Sequence, residues 1–331
     1  MTVSVEPIED PDRWNALVER ADAGTPFHRY EALEVFATHT GTRLHALVGR
    51  VGREPVGVFP IFELRIGPAR AAFSPPPNRK ISYLGPATTF ESAMNYRKRE
   101  RRHRRFVDAA LEYVDAEIDP RIVNLRTAVE YGDPRPFLWN GFESTPRYTY
   151  HLDLSRDPAT VLSAAGRDLR SNVRRTDAEA YEIDTGGSFA IERVIGLAKR
   201  RHQEQGVPYA MTPEFVDDLA RAMPEHLTVY VCRVDDSFAG GTVVLSDDRT
   251  CYRWQSATDF DVDVPVQDLL DWRVIQDGID AGRSRYDLVG ANNPRLCRYK
   301  AKFAPRVATY YRLERSGPVS GLLASAYGRL K

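Results

Sequence analysis

The feature that most constrains the fold is a short internal repeat. Residues 44–57, LHALVGRVGREPVG, align without a gap with residues 227–240, LTVYVCRVDDSFAG. Each copy alternates apolar residues into a Gly or Asp turn and then enters a second apolar run, a pattern typical of a β-hairpin. The coinciding positions are Leu44 with Leu227, Val48 with Val231, Arg50 with Arg233, Val51 with Val234 and Gly57 with Gly240.

Later segments repeat more weakly in the same order along the chain. Residues 124–126 resemble residues 287–289, and Gly141-Phe142 before 148–150 resembles Lys302-Phe303 before 309–311. A chance likeness of two hairpins is the alternative for the first match alone. Because the order of the later elements is kept, we expect two similar domains in tandem, residues 1–147 and 148–331.

Within each half, apolar periodicity and turn residues predict alternating strands and helices. In the first half the expected strands are 3–8, 43–51, 56–66, 81–84 and 122–126, and the helices are 11–23, 30–40 and 91–118. In the second half the expected strands are 148–154, 227–234, 241–245, 251–256, 286–289 and 308–313, and the helices are 158–180, 189–205, 213–222 and 265–281. This order predicts an α/β or α+β sheet covered by helices.

Charge and composition exclude several classes of protein. Lysine plus arginine equal aspartate plus glutamate at 46 each, so no global field draws the protein onto nucleic acid or an anionic membrane. The acidic N-terminus does not look like a signal peptide, and no apolar run approaches the roughly 20 residues of a spanning helix. We therefore expect a cytoplasmic protein. The three cysteines lack metal-ligand spacing, which favours buried thiols and no metal site.

The segment 284–314 is built like a ligand site. A strand-like run ends near Asp287 and is followed by Asn292 and Asn293, then by Lys300 and Lys302. Two ammonium groups there suit a phosphate or carboxylate, although a solvated helix also explains them. The asparagines either donate to a carbonyl or cap the next turn. Asp287 either accepts a proton from an attacking amine or accepts backbone N–H groups.

Two further groups of polar residues lie on predicted elements of the second half. Strand alternation puts Arg253 and Gln255 on one face, where they contact a substrate or line the wet face of an edge strand. Helical spacing puts Arg167, Arg170 and Arg174 on one side of a helix. That stripe suits a pyrophosphate or an RNA backbone, and equally a solvated surface.

The sequence contains none of the common motifs that would indicate another class of enzyme. GxSxG, HExxH, a P-loop and a GxGxxG after a strand are all absent from the sequence. One literal match to an acyl-CoA loop, Arg-x-x-Gly-x-Ala, runs from Arg193 to Ala198, but it lies inside a predicted helix. A pyrophosphate loop has to follow a strand so that its N–H groups face the ligand, and we discount this match.

Several segments together resemble the FemAB-like branch of the GNAT acyltransferase superfamily, over most of the chain. They are YHLDL at 150–154, DLRSNVRR at 168–175, VQDLLDW at 266–272, YDLVGA at 286–291 and YKAKF at 299–303. The resemblance implies two tandem GNAT-like domains, each a mixed, mostly antiparallel sheet flanked by helices. The first domain would be the acceptor side and the second the acyl-donor side.

The resemblance also implies a reaction and roles for residues. It implies an N-acyltransferase that moves an acyl or aminoacyl group from acyl-CoA or aminoacyl-tRNA, with no tightly bound cofactor, to a primary amine on a small, glycan-linked or peptide-linked acceptor. A non-catalytic binding module for tRNA or a nucleotide-linked glycan is the alternative. Better-known members carry a helical arm for which residues 181–205 leave no room. The resemblance places a lysine at Lys300, and we expect Lys300→Ala to impair activity with little change in melting temperature.

Two basic segments lie in the first half. The resemblance places the acceptor near the stiff loop that holds Arg79, Lys80 and Tyr83. The run from Arg97 to Arg105 occupies the early turns of a predicted helix, where the helix dipole disfavours cations. It therefore indicates an anionic partner such as tRNA, a transiently contacted anionic membrane or a nucleotide-linked acceptor, with a solvated face as the alternative.

Overall fold

The computed structural model describes residues 2–90, 94–259 and 261–316. The chain divides into two compact units. Unit 1 contains the residues up to Arg147 together with those from Thr309, and unit 2 contains residues 148–308. Among the described residues, every helix is too short or too polar to cross a membrane.

The strands are between two and thirteen residues long. They are β1 (Ser4–Pro7), β2 (Arg43–Val51), β3 (Glu54–Ile66), β4 (Ala69–Ser74), β5 (Ala87–Thr88), β6 (Ile122–Arg126), β7 (Glu143–Asp153), β8 (Glu182–Thr185), β9 (Leu227–Val234), β10 (Ser237–Ser246), β11 (Thr250–Thr258), β12 (Arg285–Asp287) and β13 (Arg306–Ser316). The α-helices are α1 (Pro11–Arg20), α2 (Tyr30–Thr40), α3 (Tyr96–Tyr113), α4 (Arg135–Trp139), α5 (Pro158–Ala164), α6 (Arg167–Arg175), α7 (Ser188–Glu204), α8 (Pro213–Ala222), α9 (Val266–Asp280) and α10 (Pro294–Lys300). Short 3₁₀ turns lie at 26–28, 178–180 and 301–303, and a π-turn at 114–118.

Unit 1 is a mixed sheet with helices packed on it. Its strand order is β1-β2-β3-β4-β6-β13, in which β4 and β6 are parallel and the other pairs antiparallel. Helix α3 lies close on β2 and β3, because a Cβ at Gly49 or Gly57 would approach Phe106 to 2.3 and 2.7 Å respectively. These glycines let the aromatic ring, and with it the middle of α3, lie directly on the sheet.

Unit 2 repeats this arrangement. Its strand order is β7-β12-β11-β10-β9-β8, and β11 and β12 form the parallel pair. Hairpins β2–β3 and β9–β10 therefore hold equal places in the two sheets, as the sequence repeat predicts. The predicted fold class, mixed and mostly antiparallel sheets flanked by helices, is confirmed. The core of unit 2 includes Leu154, Leu169, Leu270, Tyr286, Leu288 and Phe303.

Several predicted bounds are wrong. The expected helix 158–180 is two helices, since Ala165 and Gly166 are extended and Gly166 N donates to Lys302 O at 2.6 Å. The expected strand 81–84 is only a bridge from Leu84 to Thr127. Strands β4 and β8 were not expected, and the predicted helix start at Glu91 lies outside the described residues. Strand β13 belongs with unit 1 and not with the second half, because its residues from Arg312 pair with β6.

Candidate active site

The exit of strand β12 gathers several of the residues singled out in the sequence. Asp287, the last residue of the strand, is fully buried. Its Oδ1 accepts hydrogen bonds from Thr149 Oγ1 at 2.6 Å and from Val289 N at 2.7 Å. His151, the cross-strand neighbour on β7, places Nε2 3.3 Å from Asp287 Oδ2. Asp287 is thus a backbone acceptor, and it also orients a histidine.

The loop after β12 has an unusual backbone. Val289 has φ 47° and Gly290 has φ 87°. A β-branched residue in the left-handed region costs of order 1–3 kcal/mol, and such strain persists only when the surroundings enforce it. Here Lys300 enforces it, because its Nζ donates to Val289 O and to Gly290 O, both at 2.7 Å. Residues held in this way are concentrated at functional sites.

Lys300 is buried at the centre of this cluster. Only 3% of its surface is exposed. Burial, followed by the positive charge of Arg253, lowers the pKa of Lys300 to about 8, which the carboxylates of Asp287 and Asp271 partly offset. The predicted solvated helix is therefore wrong for this lysine. The expectation that Lys300→Ala leaves the melting temperature unchanged is also unsupported, since the substitution would remove the donor to two backbone carbonyl groups of half-buried residues.

The two asparagines of the loop act on the backbone. Asn292 pairs with Tyr148 like one more residue of a strand: its Nδ2 donates to Tyr148 O at 2.9 Å and its Oδ1 accepts from Tyr148 N at 3.0 Å. Asn293 caps α10 by accepting from Arg295 N at 2.9 Å. The capping alternative describes Asn293, and both side chains fix the course of the loop.

Arg253 belongs to a buried network around Asp271 of α9. Arg253 Nε lies 2.8 Å from Asp271 Oδ1, as an ion pair. The same carboxylate accepts from Tyr286 OH at 2.6 Å and from Tyr299 OH at 2.7 Å. The Arg253 side chain is only 13% exposed, so the wet-face alternative for this residue is wrong. The network joins β11, β12, α9 and α10 into one rigid support.

Lys302 and Gln255 are also engaged. Lys302 Nζ lies 2.9 and 2.7 Å from the two oxygens of Asp268, which is 3% exposed. Gln255, 9% exposed, accepts from Tyr209 OH at 3.0 Å. The polar groups of both side chains are thus paired within the protein. Both instead hold neighbouring elements against the sheet.

The remaining predicted residues of unit 2 lie on α6. Arg170 donates to Ala165 O and to Ser163 O, so it closes the end of α5 and is not part of a free stripe. Arg174 and Arg167 are exposed. Of the three arginines predicted to form a basic stripe, only Arg167 and Arg174 are therefore exposed.

The predicted acceptor-side residues lie in unit 1, and the β12 cluster belongs to unit 2. Tyr83 is 1% exposed and packs its ring edge-on against Tyr310, with centroids 5.1 Å apart. Arg79 donates to His39 O at 2.5 Å, and burial lowers its pKa. Lys80 is exposed, with φ 49°. Because the Tyr83 side chain is buried, the structure does not support the predicted contact between Tyr83 and an acceptor.

A second feature of the site is the part of strand β11 that extends beyond its pairing with β12. It pairs with β12 only from Thr250–Arg285 to Tyr252–Asp287, yet it continues to Thr258. The parallel strands therefore separate at the position of Asp287. The far half of β11 leaves an edge at which an extended chain can pair by backbone hydrogen bonds.

The sequence analysis missed His151 as a candidate. Its side chain is 16% exposed, so it has both a buried partner and access to solvent. Thr149 and His151 are two residues apart on β7 and share a face, and both contact Asp287. The alternation in YTYHLDL at 148–154 already places Thr149 and His151 on one face of a strand. Only the strand pairing shows that these two residues meet Asp287.

Two of the three cysteines do not supply a nucleophile. Burial raises the pKa of the Cys232 thiol to about 12 and that of Cys251 to about 11. Both are buried, as expected from their strand-like surroundings, and Cys297 is half-buried. A thiolate is the reactive form, so the chemistry of this site does not depend on the two buried thiols.

Comparison with known families identifies the domain. Residues 163–301 match the family model described as an acetyltransferase (GNAT) domain. Unit 2 carries a GNAT acyltransferase domain. The match includes α6, the far half of β11, α9, the strained loop and α10, and it confirms the predicted superfamily and the expectation of an acyltransferase enzyme.

Solved structures extend the likeness to nearly the whole chain. FemX superposes with a TM-score of 0.71 at 12% identity, covering 94% of this chain and 97% of FemX. L-PGS from Bacillus licheniformis has a TM-score of 0.57 at 12% identity and covers 97% of each chain. A tandem GNAT protein from the clavulanic acid biosynthesis pathway has a TM-score of 0.54 at 13% identity, covering 96% and 99%. The FemAB-like architecture is confirmed as a fold, and no curated protein sequence matches the chain.

Proposed function

We propose that this protein is an N-acyltransferase whose reaction takes place where β11 and β12 separate. The observation that carries the proposal is the coincidence, at that point, of an unpaired strand edge with the His151–Asp287 pair and the strained loop. A donor bound at the unpaired half of β11 would bring its acyl carbon beside groups held by a rigid buried network.

The proposed step needs a proton acceptor and no covalent intermediate. The nitrogen of a primary amine bonds to the acyl carbon, and the bond from that carbon to the donor's ester oxygen breaks. The proton lost by the nitrogen passes to His151 and then to the departing oxygen. Asp287 orients the imidazole and stabilises the imidazolium that forms, in the way that a buried carboxylate supports a histidine base.

Lys300 has a supporting role in this proposal. Its ammonium group is directed at the carbonyls of residues 289 and 290, and 3% of the residue is exposed. It would fix the loop that forms one wall of the site, without contacting the substrate. Lys300 is accordingly a positioning residue, and so is Arg253 through Asp271.

For the donor, we propose an aminoacyl ester of the aminoacyl-tRNA type in preference to acyl-CoA. The loop that leads from β11 to the start of α9 carries Asp259, Asp261 and Asp263. A pyrophosphate at a helix N-terminus needs facing N–H groups and positive charge, and three carboxylates oppose it, whereas the same carboxylates attract the α-ammonium group of an aminoacyl ester. Only Asp259 has a cation nearby among the described residues of this loop's surroundings, with Arg201 at 3.6 Å.

The supporting experiment compares donors on one acceptor. The purified protein is incubated with a primary amine, and either acetyl-CoA or an aminoacyl-tRNA, and the amide is quantified by mass spectrometry. The proposal predicts amide from the aminoacyl ester and little above background from acetyl-CoA. Product from acetyl-CoA alone would overturn the choice of donor. If neither donor gives amide with any amine, although the donor still binds to the protein, the binding-module alternative would be favoured.

A further inference from the structure

Unit 1 contains a cavity that the proposed reaction does not use. It has a volume of about 340 Å³ and lies at the start of α3. Five cations line it: Arg97, Lys98, Arg101, Arg102 and Arg105. Asn95, which also lines it, caps the helix by accepting from Arg97 N at 2.9 Å. We call this cavity the α3 groove.

Most cations of α3 outside the groove have carboxylate partners. Arg99 lies 2.8 Å from Asp22, and Arg104 lies 3.5 Å from Asp108. Within the groove, Arg102 is buried and binds both oxygens of Glu54, at 2.5 and 2.9 Å. This hydrogen bonding lowers the pKa of Glu54, and Lys98 adds to the effect. The carboxylate of Glu54 is thus already neutralised by Arg102.

The cations that remain are exposed and close to one another. Arg97, Lys98, Arg101 and Arg105 are exposed, and within the described ranges no carboxylate lies within ion-pair distance of Arg97 or Arg101. Arg97, Arg101 and Arg105 follow one another at intervals of four residues, about 6 Å along the helix. Like charges at this spacing repel, and the positive end of the helix dipole adds to the cost. A bound anion would remove both penalties.

The walls of the groove define the ligand more closely. Val3 and Val51 supply an apolar surface beside the cations. A volume of about 340 Å³ is at the small end of the range for small-molecule sites, about 300–1,000 Å³. Arginine binds phosphate oxygens with two parallel N–H groups. A bare inorganic ion would leave the apolar wall uncovered, so the ligand should also carry an apolar part.

We propose that the α3 groove binds a phosphorylated small molecule or headgroup, with its phosphate on Arg97 and Arg101 and its apolar part against Val3 and Val51. This site is separate from the acyl-transfer step and does not depend on it. The phosphate group can belong to a soluble ester or to a lipid headgroup, and both sources present the same chemistry to the groove.

Binding is measured by isothermal titration of the full chain with ADP and with pyrophosphate, and by co-sedimentation with phosphatidylglycerol vesicles. The test variant is Arg97→Gln/Arg101→Gln. The matched control is Arg13→Gln/Arg20→Gln, which removes two exposed arginines from α1 of the same unit. Circular dichroism and urea unfolding establish that each variant folds.

The proposal predicts that the test variant weakens binding at least tenfold, and the control less than twofold. Binding of ADP or pyrophosphate identifies a soluble ester, and binding of vesicles alone identifies a lipid headgroup. An equal loss in both variants would show a general effect of charge and overturn the site. Absence of binding to all three probes would also overturn it. Acyl transfer is not the readout, so this result is independent of the proposed reaction.

Discussion

In unit 2 the cations nearest the candidate site are buried against carboxylates or carbonyl groups, whereas in unit 1 several cations of α3 stay exposed around a groove. Lys300 contacts two backbone carbonyl groups, and Lys302 and Arg253 contact buried carboxylates. Arg97 and Arg101 have none among the described residues. Because removing one partner of a buried pair strands the other, the two sets should differ in what their loss costs.

The largest expected effect is at the centre of the unit 2 network. Asp271→Ala removes a fully buried carboxylate and strands Arg253, Tyr286 and Tyr299. We expect the free energy of unfolding to fall by about 3–5 kcal/mol in urea. Asp280→Ala, on an exposed face of the same helix, should change it by less than about 0.5 kcal/mol. Equal effects would show that the network does not support unit 2.

Acid should act chiefly on unit 1. Burial lowers the pKa of His103 from 6.5 to about 4. Between these pH values the unfolded chain binds a proton that the folded chain does not, so stability falls as the pH falls. At pH 4.5 the loss should be about 2–3 kcal/mol relative to pH 7, and His103→Gln should remove that part of the pH dependence. An unchanged pH dependence in the variant would refute the buried neutral histidine.

A smaller loss is expected at Lys300. Lys300→Met leaves the carbonyls of residues 289 and 290 without their donor and should lower the free energy of unfolding by about 1–3 kcal/mol. The matched control is Lys199→Met, at an exposed position on α7. If the two variants are equally stable in urea, Lys300 does not hold the strained loop.

The smallest effect is expected in the groove. Arg97→Gln/Arg101→Gln should change the free energy of unfolding by less than about 0.5 kcal/mol, since both side chains are exposed. A slight stabilisation is consistent with the release of like-charge repulsion. A loss as large as that of Asp271→Ala would abolish the contrast between the two units.

The hairpin repeat and most of the strands could be predicted because alternation and turn residues are local. The break between α5 and α6 could not, because Gly166 is extended where it approaches the backbone of Lys302. Strand β4, ARAAFS, was missed because its alanines give little apolar alternation.

For the site, sequence indicated the correct segment but not the roles of its residues. Asp287, Lys300 and Arg253 do come together, yet each contacts a partner on a distant element. Helix α9 supplies Asp271, and strand β7 supplies Thr149 and His151. Polar spacing alone does not distinguish a cation that meets a ligand from one that meets a buried carboxylate.

The central claim is that amide formation takes place at the exit of β12 with His151 as proton acceptor. The direct measurement is the single-turnover rate of amide formation for wild type and His151→Gln, with Glu143→Gln as a control at an exposed position of β7. Glutamine can still donate to Asp287 but cannot take up the proton. We predict a rate at least a hundredfold lower for His151→Gln, with unchanged stability and donor binding, since general base catalysis contributes about 10²–10⁴-fold. A rate within a factor of two of wild type would contradict the assignment.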